Sequence, residues 1–550
     1  LHPKERSAVA EADADYAAIA TAVRNGDRPR AINLAARALK RGAKQPLVLV
    51  LAAEGLEERG QPQPAIDLLR AATAAAPQHR VAWMRLAALL ARRKAFGEAL
   101  SAFEAALKVE PDSYPALMGA GEMSLLLNDI AAAEGRYRRA SEVEPGAAAP
   151  LAVLAVIAAQ ARDPALARDY ARRANALGSS VVGAEMAIAR ADLLEGDPAA
   201  AEARLLDLLA RPDLDDDNRA GALDIRAEAR DALDRPSDAF ADYEARNGLL
   251  LQVHRATFDA EAQRSTTIAR WLATYLRAAP DEPWRTSPGE DQLGAGLVRS
   301  HVFLLGFPRS GTTLLEKALE GHPDIVAMEE INHLARAASD LRADAESWDR
   351  LANLTPADAD ARRRAYWDGV RETLGPDVSG RILVDKLPLH TLALPVISKL
   401  FPGAKILFAV RDPRDVVLSC YRRRFQINKA MFEFLTLDGA ADFYDAVFDL
   451  AAVARAKLPL DIREVRHEAI VANFDTEVAE LLAFVGAGWS PEVRTFSDRV
   501  AGRPRTPSYP QLARGLNADG VGQWRRYSRQ IAPILPRLAP WVERLGYPAD

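Results

Sequence analysis

HVFLLGFPRSGTTLLEKALEGH, residues 301–322, passes from an apolar run to a Gly-bearing loop and then to a helical pattern. HVFLLG reads as a buried strand, and the apolar positions Leu314, Leu315, Ala318 and Leu319 fall on one helical face. A strand, a tight loop and a helix start form an anion site, because backbone N–H groups and the positive end of the helix dipole converge at the turn. The spacing from Gly306 to Gly311 equals that of the phosphate-cradling loop G-x-x-x-x-G-K-[ST], but Thr312 stands where that loop has its lysine. ATP or GTP hydrolysis is therefore poorly supported, and Arg309 is the cation the loop offers instead.

Further apolar runs, RILVDK (381–386), AKILFAV (404–410) and REVRHEAIV (463–471), alternate with helical stretches. That alternation predicts α/β layers around a mainly parallel sheet. AKILFAV leads into RDPRDVVLS (411–419), which places Arg411 at a strand end and Ser419 on a helix starting near Pro413, where both can face a second phosphate.

PRSGTTLL and VRDPRDVVLS, in that order, resemble the 5′ and 3′ cofactor signatures of the sulfotransferases. HPDIVAMEE after the first and VDKLP between the two resemble the tyrosylprotein sulfotransferase-like branch. The resemblance covers roughly 300–550 and implies a donor, phosphoadenosine phosphosulfate (PAPS, leaving the product PAP). It implies that Arg309, Ser310, Gly311, Thr312 and Thr313 hold the 5′ side of the donor and that Arg411 and Ser419 hold its 3′-phosphate. In-line sulfuryl transfer needs a base for the acceptor hydroxyl and positive charge near the leaving oxygen. The resemblance assigns these roles to Glu330 and Lys386.

His333 is the rival base, with His390 also near the motifs in sequence, whereas His322 in GHPD reads as a turn residue. His467 stands where the family commonly has a nucleotide-contacting Tyr. RTPSYPQLARGLNADGVGQWRRY (505–527) resembles the closing segment near the cofactor, with Gly522 and Trp524 in place and Gly520 where a serine is often found. Arg422, Arg423 and Arg424 read as a solvated helix face, or else as a grip on an acidic acceptor.

The front half is rich in Ala, Leu, Arg and Glu and carries a period of 34 residues. Ala31, Ala65, Ala99, Ala133, Ala167 and Ala201 form one column, Ala53, Ala87, Gly121, Ala155 and Ala189 a second, and Pro77, Pro111 and Pro145 a third. Such a unit is two helices and two turns, with small residues where helices cross and proline ending the second helix. Segments such as Trp83–Pro111 resemble the tetratricopeptide repeat, over about 12–253. The expected architecture is thus an α-helical tetratricopeptide-repeat superhelix (1–253), a linker rich in Pro, Gly and acidic residues (254–299), and an α/β P-loop-like domain (300–550). The repeats imply protein or peptide binding, or self-association.

Lys and Arg (71) nearly balance Asp and Glu (76), which speaks against a general electrostatic grip on nucleic acid. The single Cys420 fits a reducing compartment, so the cytoplasm is expected. No apolar run suits a membrane span, the opening LHPKERSAVAEADADY has no apolar core of the signal-peptide kind, and the scattered histidines offer no metal-ligand cluster. The acceptor is expected to be a hydroxyl-bearing peptide, protein or small molecule. The competing reading is a repeat-based adaptor whose second domain binds nucleotide without turning it over.

Overall fold

A computed structural model describes residues 15–178, 181–258, 264–495, 516 and 518–549. The chain forms two compact units that divide between Asp197 and Pro198. In the first, helices begin at Pro46, Arg80, Tyr114, Ala148 and Val182, and their partners at Arg28, Pro62, Phe96, Ile130 and Pro164, each set advancing by 34 residues. Ala31, Ala65, Ala99, Ala133 and Ala167 are fully buried, as are Ala87, Ala155 and Ala189, so the small-residue columns lie where helices meet. Pro77, Pro111 and Pro145 stand just beyond the helices ending at Ala75, Val109 and Val143. The prolines keep those helices from continuing.

A further column emerges only in the backbone. Gly26, Gly60, Lys94, Asn128, Arg162 and Gly196, again 34 apart, all take positive φ in the turn joining the two helices of a pair. Glycine adopts this geometry without the Cβ clash that Lys94 and Arg162 incur. Arg162→Gly is therefore expected to stabilise the repeat unit by about 1 kcal/mol, read as a higher urea midpoint at unchanged slope.

The second unit holds five parallel strands, β1 (Ser300–Gly306), β2 (Ile325–Glu329), β3 (Ile382–Lys386), β4 (Lys405–Val410) and β5 (Asp461–Arg466), in the order β2-β3-β1-β4-β5. Along β1 the side chains alternate between two apolar layers, with Val302 and Leu304 in one and Phe303 and Leu305 in the other. Register brings Glu329 opposite Lys386 and Gly306 opposite Ala409. The ends of four strands therefore deliver the loop after β1, the residue after β2, the last residue of β3 and the motif after β4 to one edge, where ligands of parallel α/β sheets bind.

The segment read as a linker is folded onto this unit. Its helix Ser265–Ala278 buries Ala269, Leu272, Ala273 and Leu276 in the larger core layer, and Trp284 is buried beside them. The Pro- and Gly-rich stretch that follows is pinned by the buried Arg363, whose guanidinium donates to Gly289 O at 2.6 Å and Glu290 O at 3.1 Å. Composition reports the turns in this segment but not the guanidinium that ties them down. The helix pair Asp216–Ala232 and Pro236–Phe258 also belongs to the second unit, where the fully buried Arg246 donates to Tyr421 O at 2.8 Å and Arg422 O at 2.9 Å.

Candidate active site

The loop after β1 turns through Arg309 and Gly311, both at positive φ, and Gly311 precedes the helix Thr312–Glu320. No side chain caps that helix start, which leaves its first backbone N–H groups facing the loop. A Cβ at Gly311 would lie 2.6 Å from His467 Nδ1, so glycine is required both by conformation and by the histidine packed on it.

The segment after β4 holds this loop from the other side. Arg309 Nε donates to Ser419 Oγ at 3.0 Å, Arg411 Nη1 donates to Arg309 O at 3.0 Å, and Arg411 Nη2 donates to Gly520 O. Asp412 caps its helix and forms a two-point pair with Arg414, while Asp415 accepts from the backbone N–H of Gly522 at 2.7 Å and of Trp524 at 2.8 Å. Arg414 lies over the Trp524 ring, 4.0 Å from its centre, and the indole is buried in the core. Trp524 thus anchors the closing segment. Residues 505–515 and 517 of that segment lie outside the described residues.

Polar atoms without a partner collect at this edge. Ser310 Oγ, Arg411 Nε and His467 Nδ1 are buried and make no hydrogen bond. Burial, and then the neighbouring Arg423 and Arg411, push the Arg309 guanidinium down to about 9. His467 is pushed down to about 3 by burial and by the same arginines Arg411 and Arg309, which keeps it neutral. Buried cations and unpaired polar atoms in one place are costly unless an anion completes them. The residues present therefore fit a phosphate- or sulfate-bearing ligand.

Beside the loop stands a charged cluster. Lys386, fully buried at the end of β3, places Nζ 2.8 Å from Glu330 Oε1 and 3.0 Å from Glu316 Oε2. Glu330, at positive φ just after β2, is held by its backbone N–H donating to Lys386 O at 2.8 Å, while its carboxylate stays partly open to solvent. Burial raises Glu316 to about 7 against the pull of Lys386. For Lys386 burial acts downwards, but Glu316, Glu330 and Glu329 outweigh it and hold the ammonium above its ordinary value. A carboxylate with one oxygen on a buried ammonium and access to solvent is placed to receive a proton, and the ammonium to meet developing negative charge.

Residues 301–491 match the sulfotransferase family. The chain is 25% identical to Gallus gallus protein-tyrosine sulfotransferase 2 over 265 residues, 45% of this chain and 69% of that protein. An uncharacterized Aquifex aeolicus protein is 24% identical over 45% of this chain, which spans a third (33%) of that relative's length. A solved tetratricopeptide repeat protein from Parabacteroides merdae aligns with a TM-score of 0.34 at 16% identity, over 39% of this chain and 87% of that one.

Within the sulfotransferase-matching region, the structure brings Arg309, Ser310, Gly311, Thr312, Thr313, Arg411 and Ser419 to one strand edge and joins Glu330 to Lys386 beside them. The histidines have other duties. His322 Nδ1 accepts from Asp324 N at 3.1 Å, as its turn reading implies. His333 pairs with Thr373 Oγ1 at 2.8 Å and packs against Gly369, which occupies the ring on the helix Pro356–Leu374. His390 is pushed down to about 3 by burial and meets Asn332 Oδ1 at 3.2 Å.

The arginine run corrects both readings of it. Arg422 is paired with Asp231 and stacked between Tyr243 and Tyr527, Arg423 lies 3.9 Å from Glu228, and Arg424 lies 2.6 Å from Asp217. These arginines tie the motif helix to the helix pair 216–258. The sequence reading missed Glu316 and Lys317, which look like ordinary polar positions of an amphipathic helix. Only the packing of the helix Thr312–Glu320 against the sheet shows that this face abuts Lys386.

Proposed function

We infer that the protein is a PAPS-dependent sulfotransferase that moves a sulfuryl group to a hydroxyl acceptor, with a protein tyrosine as the first acceptor class to test. The observation that carries this reading is the junction of two features at one strand edge, the buried arginine cluster with its unpartnered Ser310 Oγ, Arg411 Nε and His467 Nδ1, and the adjoining Lys386–Glu330 pair. An adaptor needs the first of these features but has no use for the second. PAPS supplies the sulfuryl group, whose S–O bond to the 5′-phosphate breaks as the bond to the acceptor oxygen forms, leaving the bonding pair on the phosphate. Arg309, Ser310 and the N–H groups at the start of the helix Thr312–Glu320 hold the 5′ side, and Arg411 and Ser419 hold the 3′-phosphate. Glu330 takes the proton of the acceptor hydroxyl, and Lys386 faces the leaving oxygen.

The test is thermal unfolding with PAP and, separately, with Mg-ATP. At a hundredfold excess over Kd, PAP is expected to add about 2.7 kcal/mol of stability. A response to Mg-ATP with none to PAP would overturn the reading and restore the nucleotide-binding adaptor alternative.

A further inference from the structure

Lys386 is wedged between two carboxylates of unlike exposure, since the Glu330 side chain is 42% exposed and that of Glu316 is fully buried. A buried ammonium needs a lasting counter-charge, because desolvation otherwise drives its proton off. Glu330 cannot serve throughout a turnover. As the base it becomes neutral on taking the acceptor proton, at the moment when negative charge grows on the leaving phosphate. We propose that Glu316 is the positioning residue that keeps Lys386 protonated and in place while Glu330 is consumed as the base. This inference rests on the sulfotransferase reading above.

The surroundings bear on the choice. Leu314, Leu315, Ala318 and Leu319 of the same helix are buried in an apolar layer, so a carboxylate among them forgoes apolar burial for a charge. The charged groups around Lys386 are Glu316, Lys317 and Glu320 from this helix and Glu329 and Glu330 from the end of β2, and Glu330 also faces Arg309 of the loop. Lys317 Nζ stands 3.2 Å from Glu316 Oε1, so two ammoniums share one carboxylate. Among the carboxylates that hold Lys386 up, Glu316 has the largest effect, ahead of Glu330 and Glu329.

The experiment measures PAP affinity calorimetrically on the full chain between roughly pH 7 and pH 9.5, using PAP because it carries the leaving phosphate and needs no acceptor. Wild-type affinity is expected to fall by no more than about fivefold across that range, as the Arg309 guanidinium, pushed down to about 9, begins to lose its proton. Glu316→Gln should lose about tenfold or more by the alkaline end relative to its own value at neutral pH, as Lys386 gives up its proton. The double variant Glu316→Gln/Lys386→Met should again follow the wild-type profile, although weaker throughout. Parallel profiles for wild type and Glu316→Gln would overturn the proposal, as would a merely structural defect that lowers affinity equally at every pH. If Glu316→Gln does not fold, Glu316→Asp takes its place with an intermediate alkaline loss expected, and a wild-type profile there overturns the proposal. Failure of the wild type to bind PAP at all is a different result, which removes the donor reading itself.

Discussion

Glu330→Gln should lower sulfuryl transfer by about 10²- to 10⁴-fold, the range expected when a positioned general base is removed. The amide keeps the size of the side chain and can still accept from Lys386 Nζ, now 2.8 Å from Glu330 Oε1, but it cannot take up the hydroxyl proton. Because the backbone N–H of Glu330 rather than its side chain fixes the turn to Lys386 O, the local fold is expected to survive. PAP affinity should change little, since Glu316 remains beside the Lys386 ammonium. The measurement is single-turnover transfer from labelled PAPS to a tyrosine peptide or another acceptor found by screening, paired with PAP calorimetry. Turnover within about threefold of wild type would move the base elsewhere. His333 would not inherit the role without first leaving Thr373 and Gly369.

Arg411→Ala should abolish PAP-dependent stabilisation, with the PAP Kd rising by about a hundredfold or more. That change corresponds to about 2.7 kcal/mol, within reach of one charge-assisted contact. The arginine has two tasks in the unliganded protein. Its Nη1 and Nη2 join the loop carbonyl of Arg309 to the closing segment at Gly520, while the buried Nε is left without a partner and offers itself to a ligand. Removing the side chain therefore loosens the loop as well as deleting a donor, and unfolding without ligand should also move to lower temperature. Arg411→Lys should not restore binding, because a single ammonium cannot reproduce three donors at fixed angles. Recovery by lysine would show that only the charge matters and would sink the fork geometry argued here.

Much of the candidate site was legible because short sequence signatures report local geometry. A strand followed by a loop of fixed length and a helix start places Arg309, Ser310, Gly311, Thr312 and Thr313 without any knowledge of the sheet, and the strand-to-helix step after AKILFAV does the same for Arg411 and Ser419. The 34-residue columns likewise mark helix crossings, since only small residues let helices approach. What stayed hidden depends on partners distant in sequence. Glu316 looks like a solvent-facing residue until the helix Thr312–Glu320 packs on the sheet and sets it against Lys386 at the end of β3. The arginine run looks solvated until the carboxylates of Asp217, Glu228 and Asp231, from the helix pair 216–258, are seen across from it. The left-handed column escaped because Lys94, Asn128 and Arg162 share a backbone angle with glycine and nothing in their chemistry.

The docking of the helix pair 216–258 decides where this protein can be divided. Asp231 alone receives Arg422, Arg526 at 2.8 Å and the Tyr527 hydroxyl at 2.8 Å, and Phe240 stacks on Tyr421 with 5.2 Å between ring centres. A fragment starting near residue 300, where the composition changes, would leave the Arg422 and Arg526 cations and two tyrosine rings without cover and invite aggregation. A fragment starting at Pro198 carries its own lining for that surface. Limited proteolysis and expression trials should accordingly yield a soluble piece that still contains the three helices Pro198–Leu209, Asp216–Ala232 and Pro236–Phe258.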